Sequence, residues 1–266
     1  MSKNLILQDT KWIGKQRYHF TEIDSTNKKA KELAAAASLH GALVTADVQT
    51  AGVGRRGRSW SSEASCGIYM SLILQPDIAI EQAPMLTLVA ALAVAKAVTE
   101  SLQRCGCKET VEIKWPNDIV MNAKKICGIL TEMTLENNRI VSVVIGIGIN
   151  VSNQNFPNEI AATASSLYLE TGLQFEKEAL LSSIWKQFEC YYGRFLQMRD
   201  LSLLKEEYEM YLVNKGKKVT VLEPKGEYTG TAMGITNRGE LLVDANGRIE
   251  TVFGGEVSVR GIYGYV

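Results

Sequence analysis

The chain has 266 residues and a mass of 29.3 kDa, with 29 basic and 29 acidic side chains and therefore no net charge. That balance argues against a non-specific nucleic-acid binder, whose electrostatics rest on a basic excess. A composition of 46% hydrophobic and 22% charged residues describes an ordinary globular chain, and this length favours one large domain plus a small one.

The apolar run at Met1–Leu7 is far shorter than that of a signal peptide. Residues Arg17 to Ile23 alternate loosely and predict a first strand. Asp24-Ser25-Thr26-Asn27 then offers N-cap residue types before an Ala-, Lys- and Glu-rich helix over Lys28 to Leu39. A cap alone accounts for that tetrapeptide, but the converging N–H and hydroxyl groups of a helix N-terminus also suit a polar or anionic ligand. Ala42 to Gln49 and Cys66 to Leu74 read as buried strands, joined by Gln49-Thr50-Ala51-Gly52-Val53-Gly54-Arg55-Arg56-Gly57-Arg58-Ser59-Trp60. This loop concentrates glycine and arginine as no other segment does. Glycine lets backbone N–H groups come close to a ligand, and arginine presents a permanently charged planar fork. Both suit the enclosure of an anion.

A long helix is expected from Glu81 or Ala83 to about Arg104, with Leu86, Val89, Ala90, Ala93, Val94 and Ala97 on one face. Its apolar part, Ala83 to Val98, contains Pro84, Thr87 and Lys96 and is expected to be too short and too mixed to span a bilayer. Val111 to Lys114 is a short strand leading into Trp115-Pro116-Asn117-Asp118. A hairpin turning at Asn122-Ala123 follows, with arms Ile119–Met121 and Lys124–Ile126, and a second turns at Glu136-Asn137-Asn138 between Ile126–Leu135 and Arg139–Asn150. Glycines at alternate positions, Gly146 and Gly148, imply that something bulky, a ligand or another backbone, lies against one face of that last strand. Helices are expected over Ser165–Thr171, Glu176–Gln197 and Leu201–Val213. Beyond Lys215 the pattern changes to short strands: Lys218–Leu222, Glu227–Ile235, Glu240–Asp244, Ile249–Phe253 and Val257–Arg260. Their turns are Pro224-Lys225-Gly226, Asn237-Arg238-Gly239 and Asn246-Gly247, a pattern that predicts a small barrel. The expected fold is α+β, a mixed and mostly antiparallel sheet with helices over residues 1–214, then a β-barrel over 215–266. Five cysteines without a partnering histidine cluster fit reduced thiols, and no metal site is expected, Cys105-Gly106-Cys107 being the sole close pair.

No nucleophile elbow, Walker phosphate loop or histidine triad is present. Gly52-x-Gly54-x-x-Gly57 matches the dinucleotide fingerprint only formally, because a strand and not a helix follows it. What remains are cations and amides: Arg55, Arg56, Arg58, Lys114, Asn117, Lys124 and Lys125. Such a set suits transfer of a nucleotidyl group to a carboxylate, where the substrates bring nucleophile and leaving group and the protein positions them and balances charge. For each lysine singly, a solvated surface position remains open.

Three segments together closely resemble the signatures of the biotin protein ligases: Gly52-x-Gly54-Arg55-Arg56-Gly57-Arg58-x-Trp60, Lys114-Trp115-Pro116-Asn117-Asp118 and Gly146-x-Gly148-Ile149-Asn150-Val151. Asp24-Ser25-Thr26-Asn27 matches a fourth segment, and Gly255-Glu256-Val257-Ser258-Val259-Arg260 the usual end of that family's SH3-like barrel. The resemblance covers nearly the whole chain. It implies a class II aminoacyl-tRNA synthetase/biotin ligase-like fold and an ATP-dependent enzyme that makes biotinyl-5′-AMP and passes biotin to a lysine of a biotin carboxyl carrier domain. It implies Ser25, Thr26, Asn27, Gln49 and Gly128 around biotin, and Gly52, Val53, Gly54 and Arg55 closing over its carboxylate. It implies Arg55, Arg56, Gly57, Arg58, Trp60, Asn117 and Asn150 toward the adenylate, Mg²⁺ accompanying ATP, and Lys125, with Arg55, as the catalytic cation. Val53 departs from the family's usual arginine. About sixteen residues precede the first strand, too few for the DNA-binding domain that some relatives carry, so neither DNA nor a membrane is an expected partner. A cytoplasmic enzyme is expected, and a homodimer is possible. A lipoate ligase or transferase shares the adenylation logic, but the loop and the Lys-Trp-Pro-Asn motif favour biotin. A nucleic-acid-binding module is disfavoured by zero net charge.

Overall fold

A computed structural model of the chain describes residues 7, 9–223, 226–255, 257–261 and 265–266. Residues 1–6 of the opening apolar run, Pro224 and Lys225 of the expected Pro224-Lys225-Gly226 turn and Glu256 of the Gly255–Arg260 motif lie outside the described residues.

The larger unit is a seven-stranded sheet in the order β1-β2-β3-β7-β6-β5-β4. Its strands are β1 (Arg17–Ile23), β2 (Leu43–Gln49), β3 (Gly67–Leu74), β4 (Glu112–Lys114), β5 (Asp118–Met121), β6 (Lys124–Glu136) and β7 (Arg139–Asn150). Only β1 and β2 pair in parallel, because helix α1 (Thr26–Ala36) carries the chain back between them. The remaining neighbours pair antiparallel, β4 to β7 as successive hairpins and β3 with β7 across the intervening helix and strands. The turns at Asn122-Ala123 and Asn137-Asn138 have positive φ at both central residues, the twist-matched geometry of a tight hairpin. The two expected segments Lys124–Ile126 and Ile126–Leu135 form a single strand, β6, since one arm of the first hairpin is also an arm of the second.

Successive side chains of the central strands enter two different cores. Leu43, Leu72, Val143 and Ile145 face the large core beneath helices α2 (Met85–Arg104) and α4 (Lys177–Met198), while Val44, Ile73 and Val144 face a smaller one under α1 with Ala30 and Ala34. Burial on both faces explains why these strands read as continuous apolar runs. By length and composition alone α2 with its preceding turn could cross a membrane, contrary to the expectation that its apolar run was too short and mixed. Pro84 falls at the N-cap and does not interrupt the helix. The helix lies inside the protein, with 78% of its apolar window buried.

Short helices α3 (Leu167–Thr171) and α5 (Lys205–Tyr211) flank α4. The smaller unit follows as an antiparallel sheet, order β11-β10-β9-β8-β12, from β8 (Lys218–Glu223), β9 (Gly226–Ile235), β10 (Leu241–Ala245), β11 (Arg248–Val252) and β12 (Ser258–Gly261). Val219, Val221, Ile235, Leu241 and Val252 join the same large core as the helices. Trp115 pins the two units: its backbone N–H donates to Asn214 Oδ1 at 3.1 Å and its indole N–H to Gly239 O at 2.9 Å. The most distinctive aromatic of the Lys114–Asp118 motif therefore serves the junction.

Candidate active site

The α1 face of the sheet changes along β7. Val144 lies under the body of the helix, Gly146 meets its first turn at Asn27, and Gly148 meets Trp60 of the glycine–arginine loop. A Cβ on Gly146 would stand 2.0 Å from Asn27 Oδ1, and one on Gly148 2.5 Å from the Trp60 indole. Gly128, paired with Gly148 across β6 and β7, would meet the same indole at 2.8 Å. What lies over the alternating glycines is thus two of the protein's own side chains, where a ligand or another backbone was expected, and Trp60 lies on a floor of paired glycines.

A cleft of about 430 Å³, the open solvent at its mouth included, sits on this face. Of the residues that the resemblance assigns to biotin and the adenylate, Ser25, Thr26, Asn27, Gln49, Val53, Gly54, Arg55, Trp60, Asn117, Lys125 and Gly128 line it. Gly52, Arg56, Gly57, Arg58 and Asn150 do not line it. Met70, Ile129, Leu130, Gly146, Ile147 and Gly148 complete the wall. These are strand residues whose periodicity marked them only as core or as close approach.

At one end stands the N-terminus of α1. Ser25 caps it, its Oγ accepting from Lys28 N–H at 3.4 Å. The Gln49 side-chain oxygen accepts from Thr26 N–H at 2.8 Å and lies 3.1 Å from the Thr26 hydroxyl, while the Gln49 amide donates to Ser62 Oγ at 3.1 Å. Ser71, which sequence reasoning missed, donates to Asn27 Oδ1 at 2.6 Å and lies 2.8 Å from Thr26 Oγ1. Asn27 Nδ2 donates to Glu132 Oε2 at 2.9 Å and sits 3.3 Å from Leu130 O, and Glu132 is in turn paired with Lys31. The polar atoms of Asn27 are thus engaged by the protein, so this side chain fixes the wall by its hydrogen bonds.

Over the cleft, the glycine–arginine loop is a small hairpin of its own. Val53 bridges Ser59, Gly54 N–H donates to Arg58 O at 2.6 Å, and Trp60 N–H donates to Gly52 O at 2.8 Å. Arg56 takes a left-handed conformation at φ 60° at its tip, with Arg56 and Arg58 exposed. Arg55 turns inward. Its guanidinium donates to Asn117 Oδ1 at 3.0 Å, to Gly255 O at 3.1 Å and to Val257 O. Burial lowers its pKa, the charges of Arg56 and Arg58 adding to the effect and Asp118 opposing it.

Opposite the loop, Lys125 Nζ lies 2.6 Å from Asp118 Oδ1 and 5.4 Å from the centre of a Trp60 ring. A bulge in the β5–β6 ladder sets this up: Ile119 pairs with Cys127 but Val120 pairs with Lys125. Such an inserted residue re-aims the side chains beside it. Lys125 N–H donates to Thr163 O at 2.7 Å and its carbonyl accepts from Ser165 N–H at 2.9 Å, while Asn150 Nδ2 donates to Ser165 O at 2.9 Å. Asn150 therefore supports the strand that carries Lys125 from outside the cleft. Burial raises the Asp118 carboxyl, but the charge and hydrogen bond of Lys125, with Tyr265 and Lys114, outweigh it and hold the pKa below the usual value. Lys114 is only 6% exposed. Burial brings its ammonium down to about 8, Lys125 adding to the fall and Asp118 opposing it. Asp118 and Tyr265 had no assigned role in the sequence, and only their meeting in space reveals one.

Two buried donors at this cleft, Arg55 Nε and Trp60 Nε1, have no hydrogen-bond partner among the described residues. A buried unpaired donor costs about 1–3 kcal/mol, so such groups call for an acceptor. With Lys125 they form a cationic, donor-rich cavity suited to a small molecule bearing a carboxylate or phosphate. Among the described residues no three His, Cys, Asp or Glu side chains converge as metal ligands.

Two family models match the chain. One is described as Biotin/lipoate A/B protein ligase family, over residues 20–150, and the other as Biotin protein ligase C terminal domain, over residues 216–260. The Bifunctional ligase/repressor BirA of Bacillus subtilis is 38% identical over 252 residues, 94% of this chain and 76% of that protein. The Biotin--[acetyl-CoA-carboxylase] ligase of Mycobacterium tuberculosis is 32% identical, over 84% of this chain and 81% of its own length. The solved structure of a biotin protein ligase from Aquifex aeolicus in complex with biotin and ATP aligns at a TM-score of 0.79 and 30% identity, covering 93% of this chain and 99% of that one.

Proposed function

The chain belongs to the biotin protein ligase family, and from that premise we propose how its cleft divides the work of the reaction. It is an ATP-dependent ligase: biotin and ATP give biotinyl-5′-AMP and pyrophosphate, and biotin then passes to a lysine of a biotin carboxyl carrier domain. In the first step a biotin carboxylate oxygen attacks the α-phosphorus, and the bond to the β-phosphate breaks. Two anions must meet, and the five-coordinate phosphorus gathers further negative charge. In the second step the carrier amine attacks the acyl carbon, and AMP leaves.

The Ser25–Thr26–Gln49 network, held by Ser71, is the polar end that receives the ureido ring of biotin, with Asn27 fixing the wall behind it. The backbone of Gly52, Val53 and Gly54 closes over the carboxylate. Arg55 and Lys125 stand where the carboxylate and α-phosphate meet, and their preorganised charge is worth most in a partly dry site. Trp60 and Asn117 belong to the nucleotide end. Arg56, Gly57 and Arg58 reach the adenylate only through movement of the loop, and Asn150 acts through Ser165. Mg²⁺ fits as the companion of the ATP phosphates, a role that asks few protein ligands. Val53 supplies no charge, so backbone N–H groups alone serve at that position.

The ligase unit occupies residues 1–214 and the SH3-like unit 215–266, a division supported by the change from the seven-stranded to the five-stranded sheet. Zero net charge supports a protein that works without DNA. The five free cysteines support a reducing, cytoplasmic setting, and β11, an edge strand with mostly exposed residues, offers a route to a homodimer.

The observation that carries the assignment of roles is the convergence of two cations, Arg55 and Lys125, with Trp60 and the Thr26–Gln49 polar end in the lining of one cleft. Incubation with biotin and ATP followed by desalting and mass spectrometry tests it. Biotinyl-5′-AMP retained on the protein, and no acyl adenylate when lipoic acid replaces biotin, is the expected result. A lipoyl adenylate in place of the biotinyl one would overturn the assignment of the ureido end.

A further inference from the structure

Lys125 does not meet the cleft alone. Its Nζ is paired at 2.6 Å with one oxygen of Asp118, a carboxylate whose side chain is 13% exposed. The other oxygen accepts from the hydroxyl of Tyr265, 147 residues further along the chain. The Tyr265 ring is itself held: Lys114 Nζ lies 3.5 Å from its centroid, within cation–π range. A Cβ on Gly261 would lie 1.9 Å from the main-chain oxygen of Val266, so this approach requires glycine. The smaller unit also reaches the opposite wall, where Gly255 O and Val257 O accept from Arg55.

A carboxylate bonded through one oxygen can still rotate about its Cβ–Cγ bond and carry its partner with it. Bonded through both oxygens, to groups fixed on different elements, it defines the position of each. We propose that Tyr265 is a positioning residue for the ligase reaction: by holding the second oxygen of Asp118 it fixes where Lys125 presents its ammonium to the reacting carboxylate and phosphate. The smaller unit thereby completes the active site on both walls, through main-chain carbonyls on Arg55 and a phenol on Asp118. This rests on the assignment of Lys125 as the catalytic cation. In Tyr265→Phe the ring over Lys114 is retained and only the hydroxyl is lost. Asp118 then keeps Lys125 but can turn, so the charge is present and misplaced. The rate constant falls while biotin, which touches neither residue in this arrangement, binds as before.

The test is biotin-dependent ATP–pyrophosphate exchange with the full chain. For Tyr265→Phe we expect kcat to fall by about 3- to 10-fold, the scale of one ordinary hydrogen bond, with KM for biotin unchanged. A double-mutant cycle separates positioning from folding. In the Lys125→Ala background, and equally in Asp118→Asn, adding Tyr265→Phe should change the residual exchange by less than about 2-fold. An equal kcat for Tyr265→Phe and wild type overturns the proposal. So does an effect of full size in the Lys125→Ala background, because a purely structural tyrosine would cost the same with or without its target. Absence of biotin-dependent exchange in the wild type would instead bring down the ligase roles themselves, and the proposal with them.

Discussion

At the scale of the residue, the site is a set of charges placed where burial makes them costly. Lys114 shows this best, with burial bringing its ammonium down from 10.5 to about 8. Below pH 8 both folded and unfolded chains carry the proton, and the full cost of burying the charge is present. Between 8 and 10.5 the unfolded chain still holds a proton that the folded chain has released, so stability attributable to this group rises with pH. Replacing Lys114 by methionine removes that dependence. Denaturant midpoints at pH 7.5 and 9.5 should therefore show the stability of the wild type, relative to Lys114→Met, improving by roughly 1–2 kcal/mol. A difference that stays constant over that range would contradict it. The floor under Trp60 gives a second prediction. Gly148→Ala places a methyl 2.5 Å from the indole and must displace it. A lowered melting temperature, equivalent to about 1–3 kcal/mol, and weakened exchange are expected. Normal melting and normal exchange would show that Trp60 does not rest there.

At the scale of the element, most of the architecture could be read in advance, and the exceptions have physical causes. The Asn122-Ala123 and Asn137-Asn138 turns announced their hairpins because asparagine tolerates positive φ, and the central strands were legible as unbroken apolar runs. The parallel pairing of β1 with β2 was not legible, since β1 alternates only loosely and its partner is chosen by where α1 returns the chain. The β6 bulge was invisible as well, because the inserted residue changes the ladder and not the composition. Lys125 was therefore reached through family resemblance, its own pattern being that of any hairpin lysine. Asp118 stood in the same motif without a role, because its two partners come from other segments. The glycine–arginine loop looked slack in sequence, yet its own hydrogen bonds make it a hairpin, with Val53 half exposed at its base. A cation at that position would add a charge contact to the adenylate without rebuilding the loop. Val53→Arg should lengthen the residence time of bound biotinyl-5′-AMP by roughly 2- to 5-fold, the range of one partly solvated ion pair. Stopped-flow release of the adenylate measures it, and an unchanged or faster release would mean that the side chain at this position points away from the ligand.

At the scale of the whole molecule, the two units are joined chemically as well as sterically. Trp115 and the shared core fasten them, Arg55 grips carbonyls of the smaller unit, and Tyr265 returns to the larger one at Asp118. The cleft therefore lies at the meeting of a sheet face, a helix N-terminus and a folded loop, with the smaller unit holding Arg55 and Asp118 from outside it. In the proposed division of work these supply a polar end for a ring, backbone N–H groups for a carboxylate, and fixed cations for the charge that develops between two anions. The central claim is that this cleft activates biotin with ATP and that Lys125 balances the charge of that step. Biotin-dependent ATP–pyrophosphate exchange, compared between the wild type and Lys125→Ala, tests it most directly. The expected result is exchange that requires biotin and falls by about 10²–10³ in the variant. Exchange independent of biotin, or equal in the two proteins, would contradict it.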